Sequence, residues 1–374
     1  MPDSFGRRRR LLARQLKPLG VDGLVVSNPV NVMYLTGFTG GASYLLLSST
    51  KTLLVSDHRF TEQLAEEAPG LAVHFRPPTR TTLPEVAAVL AQLGWTNVGF
   101  EASHLTIAAL EILRAQAKSA SFRPTTGLVE AMRAAKDAGE IRYIREAVAV
   151  AERTFAMLRA TLHGDMTERD LCDAIEAFVR RAGGTGTSFE PIAAVGKRSA
   201  LAHAPPTDRT VASSDFVLID WGARKGNYVS DLTRMLVTRK SWFRPHRGRP
   251  DDPRLAKVYR AVLTAHERSA AMLRPGVKAR DVDAAARAAL ADAGFGEHFT
   301  HGLGHGIGLE VHEAPDLRAS SEQVLESGMV VTIEPGAYFR GWGGVRIEDD
   351  YLVTPSGCER LSTLPLDFAG TEIP

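Results

Sequence analysis

Cysteine is nearly absent. Of 374 residues only Cys172 and Cys358 carry a thiol, and neither stands in a Cys or His spacing suited to zinc or redox chemistry. A disulfide scaffold is excluded, and two reduced thiols in a cytoplasmic protein are the expectation. No apolar run approaches the roughly 20 residues that cross a bilayer. The start, MPDSFGRRRRLLARQL, lacks the apolar stretch and small-residue cleavage site of a secretory signal. An excess of one charge is missing too. Lys and Arg number 45 against 43 Asp and Glu, a net charge of +2, which gives no basis for a nucleic-acid or membrane partner. The run Arg7–Arg10 reads as the solvated start of a helix.

What is present belongs to a soluble globular chain, with 44% hydrophobic residues and 24% charged. The length suits two or three domains. Up to about residue 125 short β-rich runs alternate with helical patterns. The runs are GLVVS (23–27), SYLLLS (43–48), TLLVS (52–56) and NVGF (97–100); the helices fall at Thr61 to Glu67 and after a cap at Ser103. Pro124 to Gly127 read as a linker, followed by one long helix from about Glu130 to Leu162. The expected domains are 1–127 and 128–374.

The second part repeats itself faintly. AERTFAMLR (151–159) resembles HERSAAMLR (266–274), and MTERDLCDAIEAFVRRAG (166–183) resembles VKARDVDAAARAALADAG (277–294). Each half then reaches an apolar strand that ends in an acid and a glycine turn, FVLIDWG and VVTIEPG. A second strand with another acid follows. This predicts two α/β halves related by approximate twofold symmetry, with the acids of each half on consecutive strands as in a hairpin. On such strands Asp231 and Thr233 would share a face, as would Arg346 and Glu348. The stretch 240–254, KSWFRPHRGRPDDPR, reads as a surface insertion.

Five potential metal ligands accompany these strands: Asp220, Asp231, His305, Glu334 and Glu348. Four carboxylates and an imidazole suit two hard divalent cations, and burying so many acids without a metal would be costly. Taken singly each residue has an ordinary explanation. Asp220 could be a cap, Glu334 could start a turn, and His301, His305 and His312 could be core histidines. GLGHGIG is no phosphate loop, because it lacks the Lys-Ser/Thr ending. Five ligand types on five separate elements are hard to explain as caps.

From about residue 128 to 355 the chain resembles the pita-bread metallopeptidases, the superfamily of methionine aminopeptidase, aminopeptidase P and prolidase. NVMYLTGFTG and the DHR at 57–59 resemble the creatinase/prolidase N-terminal domain found in the Xaa-Pro-cleaving branch. The fold class implied is an N-terminal creatinase/prolidase-like α/β domain plus a pita-bread catalytic domain with pseudo-twofold symmetry. The resemblance implies that Asp220 binds one metal, that His305 and Glu334 bind the other, and that Asp231 and Glu348 bridge them. It implies Glu334 as general base, His203 and His312 as holders of the substrate carbonyl, and His301, Tyr338 and Arg346 as further site residues. The implied cofactors are two divalent ions, Mn²⁺ before Co²⁺ or Zn²⁺; the implied assembly is a homodimer.

The substrates implied are short peptides with proline in second position. Such a bond is a tertiary amide, so it offers no N–H, and its hindered nitrogen must be protonated before it leaves. A prolidase also needs a cation for the dipeptide carboxylate. In HEAPDLR, Asp316 has the wrong charge and Arg318 lies close by. With Tyr338 matching aminopeptidase P, the reading adopted is an Xaa-Pro aminopeptidase; the alternatives are an Xaa-Pro dipeptidase and, distantly, a non-catalytic binding protein.

Overall fold

The computed structural model describes residues 4–237 and 253–371, and the chain divides into two compact units, Met1–Arg133 and Ala134–Pro374. Of the stretch 240–254 all but Pro253 and Arg254 lies outside the described residues.

The first unit is a six-stranded mixed sheet with helices. Its strands are β1 (Gly23–Val26), β2 (Tyr44–Leu47), β3 (Thr52–Ser56), β4 (Val73–Phe75), β5 (Asn97–Glu101) and β6 (Ser121–Thr125), in the order β4-β3-β2-β1-β5-β6. Its helices are α1 (Ser4–Leu16), α2 (Pro29–Thr36), α3 (Thr61–Glu67), α4 (Thr82–Leu93) and α5 (Ile107–Gln116), with α6 (Leu128–Ala134) at the division. Three expectations change here. Pro124 is part of β6, an edge strand that can do without one ladder N–H, so it is no linker. The α5 cap is Thr106, whose hydroxyl accepts from the Ala109 N–H, and Ser103 stands outside the helix. The arginine run is partly structural. Arg8 is buried with its guanidinium 4.0 Å from the Tyr34 ring centroid, and Arg9 donates to the Leu35 carbonyl.

The motif around Asn31 also has a packing role. Glu101 accepts from the Ser27 and Asn28 N–H groups and from the Asn31 amide, while Arg133 donates to Asn31 Oδ1. This network ties the end of β1 to the end of β5, and it brings α6 in with the first unit.

The second unit contains α7 (Ala138–Thr161), α8 (Glu168–Arg181), α9 (Pro253–Ala270) and α10 (Ala279–Asp292). The expected long helix is interrupted before α7. Asp137 caps α7, accepting from the Gly139 and Glu140 N–H groups while Glu140 reaches back to the Asp137 N–H, a capping box that stops any upstream helix from continuing.

The remaining strands are β7 (Gly186–Thr187), β8 (Ile192–Val195), β9 (Phe216–Trp221), β10 (Ala223–Lys225), β11 (Tyr228–Val229), β12 (Leu232–Val237), β13 (Gly304–Gly306), β14 (Glu313–Leu317), β15 (Val330–Ile333), β16 (Gly336–Phe339), β17 (Gly343–Arg346), β18 (Asp349–Thr354) and β19 (Gly357–Arg360). The principal sheets run β12-β9-β8 and β14-β13-β15-β18-β19, and their strands pair antiparallel. Alternate residues of β9 face two cores. Val217 and Ile219 join Phe155, Leu171 and Ile175 of α7 and α8, whereas Phe216 and Leu218 join Val258, Val262 and Leu290 of α9 and α10. Burial on both faces explains why FVLI is apolar without alternation. Trp221 locks α7 to β9, stacking on Phe155 at 4.6 Å and donating to the Ala151 carbonyl at 3.0 Å.

Both repeat halves thus become a helix pair packed on an antiparallel sheet. The acids do not sit on consecutive strands, however. The β10–β11 ribbon lies between Asp220 and Asp231, and the β16–β17 hairpin lies between Glu334 and Glu348. The strands that carry the acids are nevertheless neighbours, β9 with β12 and β15 with β18.

Candidate metal centre

In each half one acid ends a strand and another begins its antiparallel neighbour. Asp220 is the penultimate residue of β9 and Asp231 immediately precedes β12; Glu334 follows β15 and Glu348 immediately precedes β18. The halves meet where Thr233 and Glu348 pair as an isolated antiparallel bridge. His305 lies at the centre of β13. The flanking glycines allow its neighbours to approach, because a Cβ at Gly304 would collide with the Thr332 carbonyl and one at Gly306 with the Ala314 carbonyl.

All five candidate ligands line one cavity of about 820 Å³, together with His203, His301, His312, Arg318 and Arg346. Donor atoms of Asp231, His305 and Glu348 lie within 4.8 Å of one another. His305 Nε2 is 3.4 Å from Glu334 Oε1 and 3.9 Å from Asp231 Oδ2. Tyr338 does not line the cavity, but it bonds to two residues that do.

The electrostatics reflect crowded acids. Burial pushes Asp231 well above the ordinary carboxylate range, and the nearby charges of Glu348, Asp220, Asp350 and Glu334 push the same way. Burial lifts Glu348 likewise, with Glu334 and Asp220 adding to it. Glu334 is raised to about 8, mainly by burial and against the pull of Arg346. Burial lowers His305 to about 4, which keeps its imidazole neutral, the form that binds metals. Its Nδ1 lies 3.1 Å from the Gly306 carbonyl, so that nitrogen donates and Nε2 is left to face the acids.

A chain of hydrogen bonds flanks Asp220. Arg346 Nη2 donates to Asp220 Oδ2, and Arg346 Nη1 donates to the Tyr338 oxygen at 3.1 Å. The Tyr338 hydroxyl therefore donates to His301 Nε2 at 2.8 Å, while His301 Nδ1 donates to the Gly302 carbonyl at 2.7 Å. Burial first, and Arg346 second, lower His301 to about 4, consistent with this neutral tautomer. Residue spacing alone did not reveal the part played by Thr233. Its hydroxyl donates to Glu348 Oε2 at 2.6 Å and accepts from Arg346 Nε at 3.1 Å.

The donor set fits divalent cations. Among the described residues Asp220 Oδ1 and Asp231 Oδ1 are buried without a hydrogen-bond partner, and of the two arginines that line the cavity Arg346 donates to Asp220 while Arg318 pairs with Asp316. Oxygen-rich donors with one imidazole, in a cavity that admits a ligand, are arranged for metal-assisted hydrolysis.

The chain belongs to metallopeptidase family M24, which matches residues 142–355, and residues 8–135 match the creatinase/prolidase N-terminal domain. The protein is thus a peptidase of mixed α/β fold, with a creatinase-type domain preceding its catalytic domain. It is 34% identical over 352 residues to the uncharacterized peptidase YqhT of Bacillus subtilis, covering 94% of this chain and 96% of that one. The Xaa-Pro dipeptidase from Bacillus anthracis superposes with a TM-score of 0.90 at 35% identity, covering 97% of this chain and 98% of that chain. The X-Pro aminopeptidase from Thermotoga maritima gives 0.83 at 32% identity, with 94% and 99% coverage. Among the described residues no helix is long and apolar enough to cross a membrane.

Proposed function

We propose that this chain is a two-metal Xaa-Pro dipeptidase whose metal ligands are Asp220, Asp231, His305, Glu334 and Glu348. The observation that carries the reading is the single cavity in which these five meet three further histidines and a solvent-accessible arginine, Arg318. An arginine on that wall can receive the free carboxylate that a dipeptide, and no longer peptide, presents directly after proline. The similarity to the Bacillus anthracis dipeptidase supports the same choice.

The oxygen-rich ligand set favours Mn²⁺, ahead of Co²⁺ and Zn²⁺. When bound, the two cations would supply Lewis-acid polarisation of the scissile carbonyl and of the attacking water. His203 and His312 donate to the carbonyl oxygen and hold the negative charge that develops there. Glu334 takes the proton of the water and passes it to the proline nitrogen, which cannot leave unprotonated. His301 has no proton to offer, since its Nδ1–H is committed to Gly302 and its Nε2 accepts from Tyr338. Its part is to steady Tyr338 and Arg346, which in turn orient Asp220.

The second reading is an Xaa-Pro aminopeptidase. It is favoured by the Asp316 carboxylate, 3.0 Å from Arg318 and partly neutralising it, and by the similarity to the Thermotoga maritima enzyme. Ala-Pro and Ala-Pro-Gly-Gly, compared on the Mn²⁺-loaded protein, separate the two. Cleavage of Ala-Pro alone, with KM raised about tenfold or more in Arg318→Ala, is the dipeptidase result. Release of alanine from the tetrapeptide at a similar rate would replace that reading with the aminopeptidase. Cleavage of neither, with metal bound, would overturn both.

A further inference from the structure

His203 sits at the exposed apex of a loop, and among the described residues its ring has no hydrogen-bond partner. Its position therefore depends on how the loop is tied down. The loop leaves β8 at Val195 and returns at Thr207, and both stems converge on one side chain at the start of α8. Glu168 is fully buried. Its Oε1 accepts from the Val195 N–H at 2.8 Å and from Arg198 Nε at 3.0 Å; its Oε2 accepts from Arg198 Nε at 2.8 Å, the Thr207 N–H at 2.9 Å and the Thr207 hydroxyl at 2.6 Å. Arg198 in turn donates to the Pro205 carbonyl, two residues beyond His203. One carboxylate thus uses most of its acceptor capacity to close the base of a single loop.

A second tie runs towards the metal residues. Ser199 Oγ bonds to the Gly344 carbonyl at 2.9 Å and receives the Gly344 N–H at 2.7 Å, on the same strand as Arg346. Between these fixed points only Leu201 to His203 are exposed in succession, while Ala202 through Pro206 line the cavity. We propose that Glu168 is the positioning residue for His203: it closes the loop so that the imidazole meets the substrate carbonyl. This deepens the reading of His203 given above and rests on it.

The test uses the full Mn²⁺-loaded chain and Ala-Pro, with Glu168→Gln and the milder Thr207→Val made both in the parent and in His203→Ala. Glu168→Gln replaces an acceptor by a donor facing Thr207 and Arg198, and a displaced catalytic group of this kind costs about 10- to 100-fold. The loss is expected in kcat, with KM and metal content near those of the parent, and Thr207→Val is expected to lose a few-fold. In the His203→Ala background neither change should cost more than about twofold, because the group they position is already gone. Equal losses in both backgrounds, or loss of metal with activity, would show that Glu168 serves the fold at large and would overturn the proposal. Full turnover in Glu168→Gln while His203→Ala is impaired would overturn the latch alone. Full turnover in His203→Ala would remove the role given to that histidine, and the latch with it.

Discussion

Replacing Thr233 by valine should weaken metal binding far more than it weakens the fold. The two side chains are nearly isosteric, and Thr233 is fully buried, so no cavity is opened. What disappears is a hydroxyl that donates to Glu348 at 2.6 Å and accepts from Arg346 Nε at 3.1 Å. A hydrogen bond to a charged group is worth about 1.5–3 kcal/mol. Much of that is felt only when Glu348 is ionised, and metal binding requires the ionised form. The expected loss of Mn²⁺ affinity is therefore about 10- to 100-fold, the range seen when partners of metal ligands are removed. Arg346 also loses an acceptor, so Asp220 should be less firmly held. Chelator competition or calorimetry against Mn²⁺ measures the affinity, and the thermal midpoint of the metal-free protein reports the fold. Thr233→Ser restores the hydroxyl and should recover most of the affinity. Unchanged affinity in Thr233→Val would refute the reasoning, as would a loss that serine fails to recover.

Glu334→Ala should abolish hydrolysis and lower metal content, measured by metal analysis after gel filtration; full activity would remove Glu334 from the ligand set. His312→Ala should cut turnover by about 100-fold, the scale of one lost oxyanion donor, with metal content unchanged; loss of metal would make His312 a ligand instead. His266 predicts an acid limit on stability. It is buried in the core beside Arg234, Arg360 and Tyr351, with Nε2 3.6 Å from Asp349 Oδ2 and, among the described residues, no hydrogen bond to either ring nitrogen, and burial lowers it to about 4 from an ordinary 6.5. The unfolded chain then binds a proton at a higher pH than the folded one, so the neutral ring favours folding above 6.5 and loses that contribution as pH falls towards 4, about 3 kcal/mol in all. Denaturant titrations from pH 7 to 4 should show a shallower decline in His266→Leu, and an identical decline would dismiss His266 as the cause.

How much of this was legible depends on the range of the interaction. Short-range signals carried far: GLVVS, TLLVS and FVLIDW became strands near their expected bounds, and the Thr61–Glu67 helix formed as read. The family resemblance, carried by motifs around the five ligand candidates, agrees with the match to family M24. The failures are instructive. Asp137 and Glu140 form a capping box in plain view, but the helical periodicity on both sides hid the interruption. Glu168 stands in the first turn of α8, and nothing local discloses that its partners lie up to 39 positions away. Arg8 looked solvated because its ring partner, Tyr34, belongs to another helix.

The duplicated pattern explains why four carboxylates share one place at all. A single half supplies two acids, one ending a strand and one preceding its antiparallel neighbour, and two acids alone hold one cation poorly. Joining the halves edge to edge brings the second acid of one beside the strand of the other, and that junction is the Thr233–Glu348 bridge. The main-chain pairing there is mutual, with Glu348 N–H on the Thr233 carbonyl at 3.2 Å and Thr233 N–H on the Glu348 carbonyl at 3.4 Å. Arg234, the next residue, donates to the Glu348 carbonyl at 2.7 Å and to Asp349 at 2.8 Å from within the core. Backbone and buried ion pair together thus hold the two halves edge to edge at the point where the acids converge.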